Sequence, residues 1–79
     1  MGNRDRHRED YRRIIDGLIA RRKELGLTQW DVAKRMGIDQ SQLSKLERGE
    51  RRLDIIDYVR ICKALEILPG ALLGNDYCD

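Results

Sequence analysis

Five polar side chains gather on one side of a short segment near the middle of the chain. At about 100° per residue, Gln40, Ser41, Ser44, Lys45 and Arg48 fall within roughly 140° of one another on a helix, with Leu43 and Leu46 opposite. Those side-chain types match groups that DNA presents. A glutamine amide can pair with an adenine edge, lysine with guanine acceptors, serine with either, and arginine with guanine or phosphate. An ordinary surface helix also has a polar exposed side, so this face alone leaves both readings open.

Two short helical patterns present these residues, within Thr28 to Gly49, TQWDVAKRMGIDQSQLSKLERG. Thr28 with Asp31 three residues on, and Asp39 with Gln42 three residues on, both have the form of a capping box. In that motif, side chains satisfy the first unpaired amides of a helix. Gly37 stands where the first helix must stop, because glycine enters the left-handed conformation at little steric cost. Ile38 can then turn inward before the second helix begins. The spacing predicts a helix-turn-helix unit.

Thr28-Gln29, Val32-Ala33, Met36-Gly37, Gln40-Ser41, Leu43, Leu46-Glu47 and Gly49 together resemble the Cro/repressor (XRE) family of helix-turn-helix DNA-binding domains, which includes the lambdoid phage repressors. The resemblance covers Tyr11 to Gly74. It implies an all-α, compact five-helix, lambda-repressor-like DNA-binding domain whose second helix-turn-helix helix reads DNA. On that basis Gln40, Ser41, Ser44 and Lys45 are the base-reading candidates, and Gln29, Arg48, Arg51 and Arg52 are the phosphate candidates. Gln29 matches the family glutamine that clamps a phosphate, and Glu50-Arg51-Arg52 falls in the loop that runs near the sugar–phosphate backbone. The family pattern also pairs Arg22 with Glu47, a structural ion pair tying the first helix to the recognition helix. Two positions depart from it: Glu66 stands where glycine is usual, and Leu68 where a Ser or Thr cap is usual.

The flanking elements follow from apolar periodicity. Tyr11, Ile14, Ile15, Leu18, Ile19 and Leu25 form a helical stripe ending at Gly26, with Gly17 inside it as a mark of close helix contact. Asp54, with Asp57 three residues later, predicts the cap of a fourth helix whose buried stripe is Ile55, Val59, Cys62 and Leu65, with Ile61. Pro69 is placed to open a fifth helix, Pro69 to Leu73, stopped by Gly74. Trp30 either lies along the DNA backbone or packs on helix 1, and the solvation cost of an exposed indole favours packing. Tyr58, Ile61, Ile67, Leu68, Leu72 and Leu73 exceed what one small core hides. Relatives commonly dimerise through this end, so Tyr58, Ile61, Leu68 and Leu72 are expected at a homodimer interface, the alternative being that these side chains complete the monomer core. Two-fold pairing would set recognition helices about 34 Å apart, one DNA turn.

The 79 residues suffice for one small domain. Residues 1–9 are expected as a charged N-terminal arm or frayed helix start, 10–74 as the folded domain and 75–79 as a tail. Arg4, Arg6 and Arg8 are available to touch DNA as a basic arm, diluted by Asp5, Glu9 and Asp10. Net charge is only +2, yet residues 1–53 carry fourteen Lys and Arg against nine Asp and Glu, while residues 54–79 carry two against five. An excess of five on one part and a deficit of three on the other suits a protein with one side against a polyanion.

Cys62 and Cys78 are too far apart for ligand spacing and have no histidine partner, so no metal, disulfide scaffold or cofactor is expected. Cys62 reads as a core residue, Cys78 as an exposed thiol, and His7 as a solvated side chain. Met1-Gly2 is followed by Arg6 where a myristoylation signal needs Ser or Thr. No nucleophile has a base partner, no phosphate loop follows a strand, and no long apolar run is present. The expectation is therefore a cytoplasmic, non-enzymatic regulator of transcription, not membrane-bound, that binds double-stranded DNA as a homodimer. The rival is a protein-interaction module on the same fold, such as an antitoxin or adaptor, with a toxin or RNA polymerase as possible partner.

Overall fold

The computed structural model describes the backbone of residues 2–72 and side chains from Arg8 onward. Four α-helices follow one another: α1 (Gly2–Glu24), α2 (Gln29–Met36), α3 (Gln40–Glu47) and α4 (Ile55–Ala64), with a single 3₁₀ turn over Pro69–Leu72. The α1 backbone is helical from Gly2, through the stretch expected as arm or frayed start. The expected short fifth helix is the 3₁₀ turn Pro69–Leu72; Leu73, Gly74, Cys78 and the tail lie outside the described residues, as do the side chains of Arg4, Arg6 and His7.

Local chemistry sets the α2 boundaries. Thr28 Oγ1 accepts from Asp31 N at 3.2 Å while Asp31 Oδ2 accepts from Thr28 N at 2.9 Å, a complete capping box. Those hydrogen bonds, from the backbone amide first, hold the Asp31 carboxyl below its usual range. Gly37 ends α2 with φ 74°, and the amides of Gly37 and Ile38 close on Lys34 O and Ala33 O. The expected box at Asp39 does not form. Asp39 has the extended backbone of an N-cap but makes no side-chain capping hydrogen bond; α3 opens with the amides of Gln42 and Leu43 donating to Asp39 O.

The core gathers Ile15 and Leu18 of α1, Val32, Ala33 and Met36 of α2, Leu43 and Leu46 of α3, and Ile61, Cys62, Ala64 and Leu65 at α4. Burial pushes the Cys62 thiol up from its ordinary pKa. Gly17 permits one close approach: a Cβ there would lie 2.8 Å from Leu72 Cδ2.

Three expectations about packing are corrected. Ile55 and Val59 are 76% and 49% exposed, with Ile56 at 57%, so they are not part of the α4 core stripe. Ile61, at 3%, belongs to the monomer core and is not free for a partner. Trp30 is 70% exposed and does not pack on α1. Seven of the ten α4 residues are apolar, so apolar side chains occupy nearly the whole circumference. Packing, chiefly on α2 and the 3₁₀ turn, selects the inward arc.

Arginines close two helix ends. Arg12 Nη2 donates to Glu47 O at the end of α3 (2.9 Å) while its Nε meets Asp16 Oδ1. At the end of α4, Arg21 Nε donates to Leu65 O (3.1 Å) and Arg35 Nη1 to Ala64 O (2.7 Å). These cations sit on the negative ends of the helix dipoles and satisfy carbonyls that lack a helical partner. Glu66 follows with φ 56°, the left-handed conformation for which the family uses glycine.

Candidate nucleic-acid interface

Gln29 is the first residue of α2 and Gln40 the first of α3. The helix-turn-helix geometry brings their amides together: Gln40 Nε2 donates to Gln29 Oε1 at 2.6 Å. Gln29 Nε2 in turn donates to Glu47 Oε1 at 2.8 Å. Glu47 is held from the other side by Arg22, whose Nε reaches Oε2 at 2.8 Å and Nη2 reaches Oε1 at 3.1 Å. Arg22 Nη1 also donates to Leu27 O at 2.9 Å, anchoring it at the α1–α2 turn.

This relay has a direction. An ionised carboxylate only accepts, so Gln29 must turn its NH₂ toward Glu47 and its oxygen toward Gln40. Gln40 must then turn its NH₂ toward Gln29. What remains on Gln40 is the carbonyl oxygen and one N–H, the acceptor and donor that complement adenine N6–H and N7. Gln29 keeps one N–H for an outside acceptor.

The other sequence candidates occupy different settings. Ser41, Lys45 and Arg52 are exposed and Ser44 is half-buried. Arg48 Nη1 donates to Ser44 Oγ and its Nε to Glu50 Oε2, the latter at 2.8 Å. That pairing raises the Arg48 pKa and lowers that of Glu50, so a phosphate would have to displace Glu50. Arg51 is turned away toward α4, with Nη2 3.4 Å from Asp57 Oδ2. Its Nη1 is buried without a hydrogen-bond partner among the described residues.

Sequence reasoning missed what fixes the loop after α3. Tyr11 Oη donates to Arg51 O at 3.3 Å and accepts from Leu53 N at 2.8 Å, latching the loop to α1. Arg12, also missed, reaches the end of α3 as described above. Both residues lie on α1 some forty positions earlier, and only the side chain at Tyr11 gives a hint: a phenol in an apolar stripe needs a polar partner. Among the described residues no group of His, Cys, Asp and Glu is placed to hold a metal ion. No described helix is long and apolar enough to cross a membrane.

The Helix-turn-helix family profile matches residues 18–72, most of the chain. The protein belongs to the XRE-type helix-turn-helix family. This is a family of DNA-binding transcription regulators. The chain is 41% identical over 59 residues to the uncharacterized HTH-type transcriptional regulator y4dJ of Sinorhizobium fredii, covering 73% of this chain and 77% of that one. It is 40% identical over 58 residues to antitoxin HigA1 of Mycobacterium tuberculosis, but spans only 39% of that protein's length. Among solved structures, an XRE-family like protein from Pseudomonas syringae superposes with TM-score 0.87 at 38% identity, covering 91% and 88% of the two chains. The restriction-modification controller protein C.AhdI of Aeromonas hydrophila superposes with TM-score 0.74 at 30% identity, covering 81% and 97%. As an XRE-type unit, the chain carries Gln29, Gln40, Arg22 and Glu47 within the matched span, so the amide relay lies inside the family portion of the fold.

Proposed function

We propose that this XRE-type protein is a small, sequence-specific repressor or autoregulator that binds an inverted-repeat operator in double-stranded DNA as a homodimer. The observation that carries the reading is the directed relay Arg22–Glu47–Gln29–Gln40, which holds one amide ready for an adenine edge before any DNA arrives. Preorganisation of that kind favours sequence-selective binding, since little side-chain entropy remains to be lost. Gln40, Ser41, Ser44 and Lys45 read bases; Gln29, Arg48, Arg51 and Arg52 hold phosphates, with Arg48 and Arg51 first leaving Glu50 and Asp57.

For the dimer, Tyr58, Leu68 and Leu72 remain assigned, Ile61 is withdrawn to the core, and Ile55, Ile56 and Val59 join. Leu68 is 78% exposed, and with the α4 side chains it supports an apolar contact near the chain's C-terminal end. The test is selection of binding sites from random duplexes. An enriched inverted repeat with half-sites about 10 bp apart is the expected result. No enrichment, with only weak salt-sensitive binding, would overturn the reading in favour of a protein partner, the alternative suggested by the likeness to HigA1.

A further inference from the structure

The chain's single tryptophan is its one large exposed apolar side chain on α2 among the described residues. Trp30 immediately follows Gln29, whose amide touches Gln40 at the head of α3. In a helix-turn-helix docked on DNA, the head of the recognition helix reaches base edges while the preceding helix crosses the backbone that walls the groove. Trp30, 70% exposed and second in α2, stands at the end of that helix which such docking brings to the groove wall. Its neighbours suit a phosphate-bearing surface. Asp31, the closest acid in sequence, is turned back onto Thr28 N, and Lys34 lies one turn along on the same exposed side. A protein-docking anchor would be expected within a larger apolar patch. The other large exposed apolar side chains among the described residues, Ile55, Ile56, Val59 and Leu68, lie on or after α4 and none lies on α2.

We propose that Trp30 packs against the sugar–phosphate backbone of bound duplex, its ring on a deoxyribose and its indole N–H toward a phosphate oxygen. It is a sequence-independent contact beside the base-reading face, and it rests on the DNA-binding reading above.

Because the chain has one tryptophan, its fluorescence reports on this site alone. The 79-residue chain is titrated with the selected operator and with a scrambled duplex, with binding followed independently by mobility shift. Expected is a change in emission and reduced quenching by acrylamide on both duplexes. Trp30→Ala should weaken both by a similar two- to tenfold, about what an aromatic contact contributes, with Trp30→Phe intermediate and melting temperatures near wild type. Binding by mobility shift with unchanged emission, unchanged acrylamide access and wild-type affinity in Trp30→Ala overturns the proposal while leaving DNA binding intact. A loss confined to the operator would also overturn it, since Trp30 would then be reading sequence. Failure of the wild-type protein to shift either duplex defeats the DNA-binding reading itself, and this proposal with it.

Discussion

Glu47 accepts hydrogen bonds from Arg22 and Gln29 together, and the ion-paired side chains are only 13% and 10% exposed. Removing the carboxylate therefore strands a partly buried guanidinium, at a cost of about 3–5 kcal/mol. Glu47→Ala should show that loss in urea unfolding; a loss below about 1 kcal/mol would mean the pair is solvated in solution. At Lys45 and Arg52 the contrast is between reading and holding. Lys45→Ala should relax sequence preference, whereas Arg52→Ala should weaken all duplexes alike and reduce the salt slope by about 1. Equal losses on every duplex from Lys45→Ala would remove it from the base-reading set. Glu66 sets two small effects against each other. Its left-handed backbone costs about 1–2 kcal/mol, while its 3.4 Å pair with the exposed Arg35 is worth about 0–1 kcal/mol. Strain should win, so Glu66→Gly raises the melting temperature; a lower one would show that the ion pair and chain entropy dominate.

At the scale of helices, α2 and α3 start differently. Thr28→Ala breaks a formed capping box and should cost about 1 kcal/mol, whereas Asp39→Ala should cost far less because no capping hydrogen bond exists to lose. Equal costs would show that the Asp39 cap forms in solution. Tyr58 joins α4 to the 3₁₀ turn through its hydroxyl, which donates to Pro69 O. Burial first, then the neighbouring Cys62, pushes its pKa from 10.0 up to about 12. The unfolded chain thus loses this proton before the folded one does. The stability linked to Tyr58 is whole below pH 10 and is lost as pH rises toward about 12. Tyr58→Phe should flatten that alkaline decline in a series of melts; an unchanged slope would remove Tyr58 as its cause. The element most poorly legible in the sequence is α4, since apolar residues nearly all round it left the inward arc undetermined.

For the molecule as a whole, the large apolar side chains left exposed among the described residues are Trp30 on α2 and, on or after α4, Ile55, Ile56, Val59 and Leu68. Ile56→Glu should keep a cooperative melt, since Ile56 is already 57% exposed, with the midpoint lowered only by what dimerisation contributes, while giving a monomer by sedimentation and weakening operator binding more than half-site binding. A dimer that persists would shift the interface elsewhere. What the sequence alone determined was local. The capped start of α2, the left-handed Gly37 with φ 74° and the Asp54 cap of α4 each depend on hydrogen bonds spanning a few residues, so residue type and spacing encode them directly. The resemblance added Arg22 with Glu47. Only tertiary structure decided the contact of Gln29 with Gln40, the Tyr11 latch, the outward turn of Trp30 and the exposure of Ile55 and Val59. Each depends on how helices distant in sequence rotate about their own axes when they pack. That rotation is fixed by the fit of the whole core, a collective quantity that no short stretch of residues carries by itself.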